Sequence, residues 1–171
     1  MKLKSLITDA AKMMGICASE TSKNFSILFR CANLAVSCVA CNYLECVAIQ
    51  TFAVTDGKID FTQFEKKCLK IKSVKVGGRE IQYDLFMNRL TVPNGKVTVE
   101  YAYVPYFTDA EQEIATVAGR VDESVLLYGI MAEYAGISGF ESEAKTYGDK
   151  FENLLLRSTR TGHVRVLPCV Q

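Results

Sequence analysis

From Leu3 to Met14 the apolar residues Leu3, Leu6, Ile7, Ala10, Ala11 and Met14 recur at helical spacing, and Lys4, Asp9 and Lys12 fall off that face. The pattern predicts an amphipathic helix ending near Gly15. A second helix is expected after Ser19-Glu20-Thr21-Ser22, whose hydroxyls suit a cap, with a buried line of Ile27, Cys31, Leu34, Cys38 and Cys41. From Val47 the period changes from helical to two. Strands are expected over 47–55, 58–62, 69–76, 79–84, 89–92 and 96–104, with the plainest alternation at Val97, Val99, Tyr101 and Tyr103. The turns between them are Thr55-Asp56-Gly57-Lys58, Val76-Gly77-Gly78-Arg79 and Pro93-Asn94-Gly95-Lys96, the last two suited to tight hairpins. Connections this short imply antiparallel pairing, so a β-meander or small barrel is expected.

Helical spacing returns after Pro105. Thr108 and Glu111 make a capping box for a short helix to about Ala118, and Asp122 is the expected N-cap of a helix over 123–135. Along that helix Gly129, Ala132 and Gly136 leave a shallow groove for close packing. Ser138 and Glu141 form a second box, opening a last helix that buries Phe140, Ala144, Tyr147, Phe151 and Leu154 or Leu155 and pairs Glu141 with Lys145 on its outer face. The chain then reads as an extended arm carrying Val164, Val166 and Leu167. The expected fold class is α+β: a helical bundle frame of about five helices, with the antiparallel β subdomain inserted between the second and third. The domain reading is 1–46 with 105–158 as the helical core, 47–104 as the insertion and 159–171 as the arm.

Charge adds an asymmetry to this picture. The formal net charge is only +1, yet residues 109–152 carry ten acids against three bases, and residues 66–104 carry eight bases against three acids. One end therefore offers an acidic surface and the insertion a basic one. Seven cysteines with no recognisable signal peptide point to a reducing, cytosolic setting with free thiols. No membrane span is expected, since the most apolar run, Cys31 to Val54, is interrupted by Asn33, Asn42, Glu45 and Gln50.

Candidate chemistry is sparse. Of Cys31, Cys38, Cys41 and Cys46, only Cys38 and Cys41 have knuckle spacing, and they fall within a helix, so buried thiols are expected in place of a metal site. The sole histidine, His163, has no nucleophile motif beside it, and no phosphate-binding glycine loop is present. The expectation is therefore no catalytic residue, no metal and no cofactor. The basic run Lys66, Lys67, Lys70, Lys72, Lys75 and Arg79, with Lys70 and Lys72 on one face of a strand, has three readings. It guards an edge strand against aggregation, it meets the acidic helices of a neighbouring subunit, or it contacts nucleic acid in a small binding or regulatory module.

The stretch Val121 to Gly136, with Leu126-Leu127-Tyr128-Gly129 and Glu133-Tyr134, followed by Gly139 to Leu155, with Glu143-Ala144, Phe151 and Leu155, resembles the closing helix pair of head-tail connector (adaptor or neck) proteins of tailed bacteriophages. The segment Val99 to Phe107 is similar to the strand leading into those helices. The resemblance implies a structural virion protein of the neck, made in the host cytoplasm. It would form a ring, commonly dodecameric, below the portal protein, joining capsid to a tail or stopper protein. DNA would pass through the lumen without sequence-specific binding, and no membrane would be involved. The arm would add a strand to a neighbour or dock on the portal.

Overall fold

The structure, a computed structural model, describes residues 1–114 and 121–161. Among these residues, five α-helices and two antiparallel sheets make an α+β fold. The chain divides into two compact units, Met1–Leu44 with Tyr106–Gln171, and Glu45–Pro105.

In the first unit, α1 (Leu3–Met13) buries Leu3, Leu6, Ile7, Ala10 and Ala11 and ends at Gly15, whose φ of +75° suits glycine. The cluster expected to cap the second helix instead forms a short helix of its own, α2 (Ala18–Lys23). Helix α3 (Phe25–Asn42) then buries Leu28, Cys31, Ala32, Ala35, Val36, Val39 and Ala40. This corrects the expected stripe: Ile27 and Leu34 are about two-fifths exposed and Cys41 is exposed. Alanines and valines supply the true buried face because the helices that meet it come close, and small side chains permit that. By length and composition α3 is apolar enough to cross a membrane, contrary to the sequence expectation, but its apolar face packs on α1 and on α4 (Glu123–Ile137).

Asn33 is buried on α3 and fully used. Its Nδ2 donates to the Phe107 carbonyl at 3.1 Å and its Oδ1 accepts from the Phe107 N–H at 2.8 Å, while Nδ2 also reaches the Phe29 carbonyl. A paired amide of this kind pins the returning chain to α3, and stranding its partners would cost about 1–3 kcal/mol each. The returning segment in turn caps α1: the N–H groups of Leu3 and Lys4, orphans of a helix start, donate to the carbonyls of Gln112 and Ala110. Residues 108–114 therefore form a capping loop where a helix from Thr108 was expected; Gln112 Oε1, and not Glu111, accepts from the Thr108 and Asp109 N–H groups. The rest of that expected helix, 115–118, lies outside the described residues. Glu111 instead joins Lys2 and Lys4 at 2.9 and 2.8 Å.

The β unit does not have the strand order of a meander, one of the two arrangements expected. The large sheet has the order β1 (Val47–Val54), β7 (Gly95–Tyr103), β3 (Cys68–Val76), β4 (Arg79–Glu80), and the small one β2 (Lys58–Asp60), β6 (Arg89–Thr91), β5 (Asp84–Phe86). Strand β7 is central, and its alternating Val97, Val99, Tyr101 and Tyr103 face inward. The Gly77-Gly78 turn closes the β3–β4 hairpin, but Pro93-Asn94-Gly95 joins strands of different sheets, and the expected strand 79–84 splits between the two. The buried Phe64 packs against the large sheet, 5.0 Å from Phe52, 5.5 Å from Phe61 and 4.6 Å from Tyr101 between ring centroids, all edge-on.

The two ammonium groups hold the Glu111 carboxyl down to about 2, and the Glu111 carboxylate raises the Lys2 ammonium above its ordinary range. A carboxyl lowered on folding adds stability that is complete above its unfolded pKa and lost as pH falls through its folded one. Acid titration of stability should therefore show a component lost between pH 4.5 and about 2 that Glu111→Gln removes; an unchanged acid profile in the variant would refute the clamp.

Candidate interaction surfaces

Three helices come close together at Gly129 of α4. A Cβ placed there would lie 3.0 Å from the Ala35 Cβ of α3 and 3.1 Å from the ring of Phe151, which α5 (Glu141–Thr161) supplies. Only glycine leaves both neighbours where they are. The other two small residues of the expected groove behave differently: Ala132 is half-buried, and Gly136 is exposed, with open space where a Cβ would stand. Tyr147 lies beside Tyr128, centroids 6.3 Å apart, with the Lys150 ammonium 5.2 Å over the Tyr128 ring.

The turn between α4 and α5 corrects two further expectations. Ser138 is the C-cap of α4 and does not open α5; the Phe140 N–H returns to the Ala135 carbonyl and the Gly139 N–H to that of Gly136, with Gly139 at φ +81°. These paired bonds are the Schellman arrangement, which places Phe140 just outside the helix crossing. Phe140 is accordingly 55% exposed where a core position was expected, and Ile137, which the periodicity did not single out, is 52% exposed. Further along α5, Ala144, Tyr147, Phe151 and Leu154 are half-buried and Leu155 is fully buried. Around the turn Glu133, Glu141 and Glu143 are exposed, and no ion pair joins Glu141 to Lys145.

The basic run is divided by the fold. Lys66 places its ammonium 4.1 Å over the Tyr103 ring, and Lys72 pairs with Glu45 at 2.6 Å. Lys67, Lys70, Lys75 and Arg79 have no ion-pair partner among the described residues. Register shifts between Cys68 and Lys70 and between Ile71 and Ser73 put Lys70 on one face with Ser73 and Lys75, opposite Ala102, Glu100 and Thr98. Strand β4 covers Lys75 and Val76, Ile81 donates to the Val74 carbonyl and the Tyr83 hydroxyl to that of Ile71, so only the stretch of β3 at Leu69 and Lys70 has no strand beside it opposite β7; Leu69 is 49% exposed.

A second apolar feature, missed in the sequence, is the β5–β6 hairpin tip. Leu85, Phe86 and Met87 are all exposed there, and Met87 takes a φ of +52°, a left-handed conformation usual for glycine. Three apolar residues in a row between Asp84 and Asn88 were the available signal. Burial pushes the Cys31 thiol up to about 11 and also raises Cys38 and Cys68, which disfavours their reactive thiolate forms. Cys41 is exposed and Cys38 half-buried, and among the described residues no three metal-ligating side chains converge. Helix α5 continues through Thr161, where the arm was expected to be already extended, and Val164, Val166, Leu167 and His163 lie outside the described residues. No family model and no curated protein matches the chain.

The two glycines of α4 should respond oppositely to substitution. Gly129→Leu is expected to cost about 3 kcal/mol or more through overpacking, whereas Gly136→Ala should gain about 0.5 kcal/mol from helix propensity alone. Urea denaturation of both variants checks the pair; equal effects would remove the assigned contact.

Proposed function

We propose that the chain is a head-tail connector of a tailed bacteriophage, a structural protein that forms a ring below the portal and leaves a channel for DNA. The observation that carries this reading is the α4–α5 hairpin. The same residues that resemble the connector helix pair satisfy their own core at Gly129 and Leu155 and leave Ile137 and Phe140 in solvent, rimmed by acids. Large apolar side chains held out beside a rigid turn are what a subunit presents to a neighbour. The finer architecture fits as well, a helical frame interrupted between α3 and α4 by a β unit, as in neck proteins with a β insertion. An uneven charge distribution supplies two unlike surfaces, as a ring of identical subunits requires. An acidic lining, where it faced the channel, would let DNA slide.

The nucleic-acid reading of the basic strand is weaker. Two of its six bases are engaged inside the β unit, by Tyr103 and by Glu45, and bound phosphates require free cations. Disrupting the gene in the phage that carries it tests the connector reading. DNA-packaged heads and free tails that fail to join are expected; normal tailed particles lacking the protein would overturn it.

A further inference from the structure

On the connector reading, the α4–α5 turn must be covered by something, and the charges indicate what. We infer that its occupant is the open edge of β3 from a second copy of this chain. Each patch has an apolar centre with charges of one sign around it. At the turn, Ile137 and Phe140 stand among Glu133, Glu141 and Glu143; on the β3 edge, Leu69 stands between Lys67 and Lys70. Within the chain, no ion pair engages any of these five charged side chains among the described residues. Their charge is therefore available to a partner, and each patch is the other's complement.

The same arrangement excludes the symmetric alternatives. Two acidic turns repel each other, and so do two lysine-lined edges, so neither patch pairs with itself. The lysines also oppose the addition of another copy's β3 to the open edge, since that would bring like charges together. A helix turn, by contrast, offers carboxylates and apolar side chains without a strand to add. What remains is a head-to-tail contact, in which every copy gives its turn to one neighbour and its edge to the next. Such a contact propagates from copy to copy, and it gives a ring where the rotation between neighbours closes.

Charge exchange provides the test. One variant carries Lys67→Glu with Lys70→Glu, the other Glu141→Lys with Glu143→Lys, and all four positions are exposed. Sedimentation velocity of the full chain at low salt should show self-association for the native protein and a loss of about 100-fold or more in each variant alone. A one-to-one mixture of the two should recover association to within about threefold of native, because every interface in the mixture again joins opposite charges. Recovery also demonstrates that both variants are folded. Association unaffected by the reversals, or a mixture that stays dissociated, overturns the inference. So does a native chain that remains monomeric at about 100 μM, a concentration at which even weak contacts register. In each of those outcomes the connector reading still stands or falls on the head-tail joining phenotype.

Discussion

The helical unit depends on the absence of one side chain. At Gly129, α3 and the Phe151 ring of α5 both approach α4 to within contact of where a Cβ would stand. Helix α4 is apolar on nearly every side, and it packs on α1, α3 and α5. A helix of that composition is stable only when enclosed. Enclosure by three helices requires small residues where they cross closely, which Gly129 and Ala35 provide, while the buried Leu126, about a turn before Gly129, and Ile130, next to it, supply burial worth about 1.5–3 kcal/mol each. The capping loop completes the enclosure. Asn33 fixes Phe107, the loop after it satisfies the first N–H groups of α1, and Glu111 ties the start of the chain to the same loop. Packing and polar satisfaction therefore lead to one arrangement.

What this arrangement leaves outside gives the functional reading its content. The Schellman turn ends α4 while apolar residues continue, so Ile137 and Phe140 are presented at the tip of a rigid hairpin. The same tip carries the carboxylates of Glu133, Glu141 and Glu143, which form no ion pair among the described residues. On the β unit the open edge of β3 pairs exposed Leu69 with unengaged lysines. Two surfaces of this kind, one acidic and one basic, are more informative than either alone, because together they carry the proposal of a neighbour of the same sequence.

Much of the architecture was legible in the chain. The face of α1, the Asp122 cap, which accepts from Ser124 N–H at 2.8 Å, and the change of period at Val47 all follow local rules. Gly129 was readable because a glycine amid large apolar residues on a helix has few other uses. The failures have physical causes. The stripe of α3 was misassigned because Ile27 and Leu34 are larger and more hydrophobic than the alanines that face the core, and hydrophobicity alone does not report how closely helices approach. Phe140 was placed in the core because its spacing continues the α5 pattern, yet the Gly139 turn intervenes. The sheet order was hidden because β7 meets β1 across 47 residues at Thr51 and Thr98, and β3 across 27 at Ser73 and Glu100, pairings that no local turn encodes. The bulges at Leu69 and Lys72, which bring Lys70, Ser73 and Lys75 to one face, leave no mark on the alternation.

The central claim is that the exposed tip of the α4–α5 hairpin is an interface, open in the free chain and covered in the assembled particle. Hydroxyl-radical footprinting of Phe140, read by mass spectrometry in the isolated protein and in particles, tests it directly. The account predicts strong labelling in isolation and protection on assembly. Equal labelling in both states would contradict it.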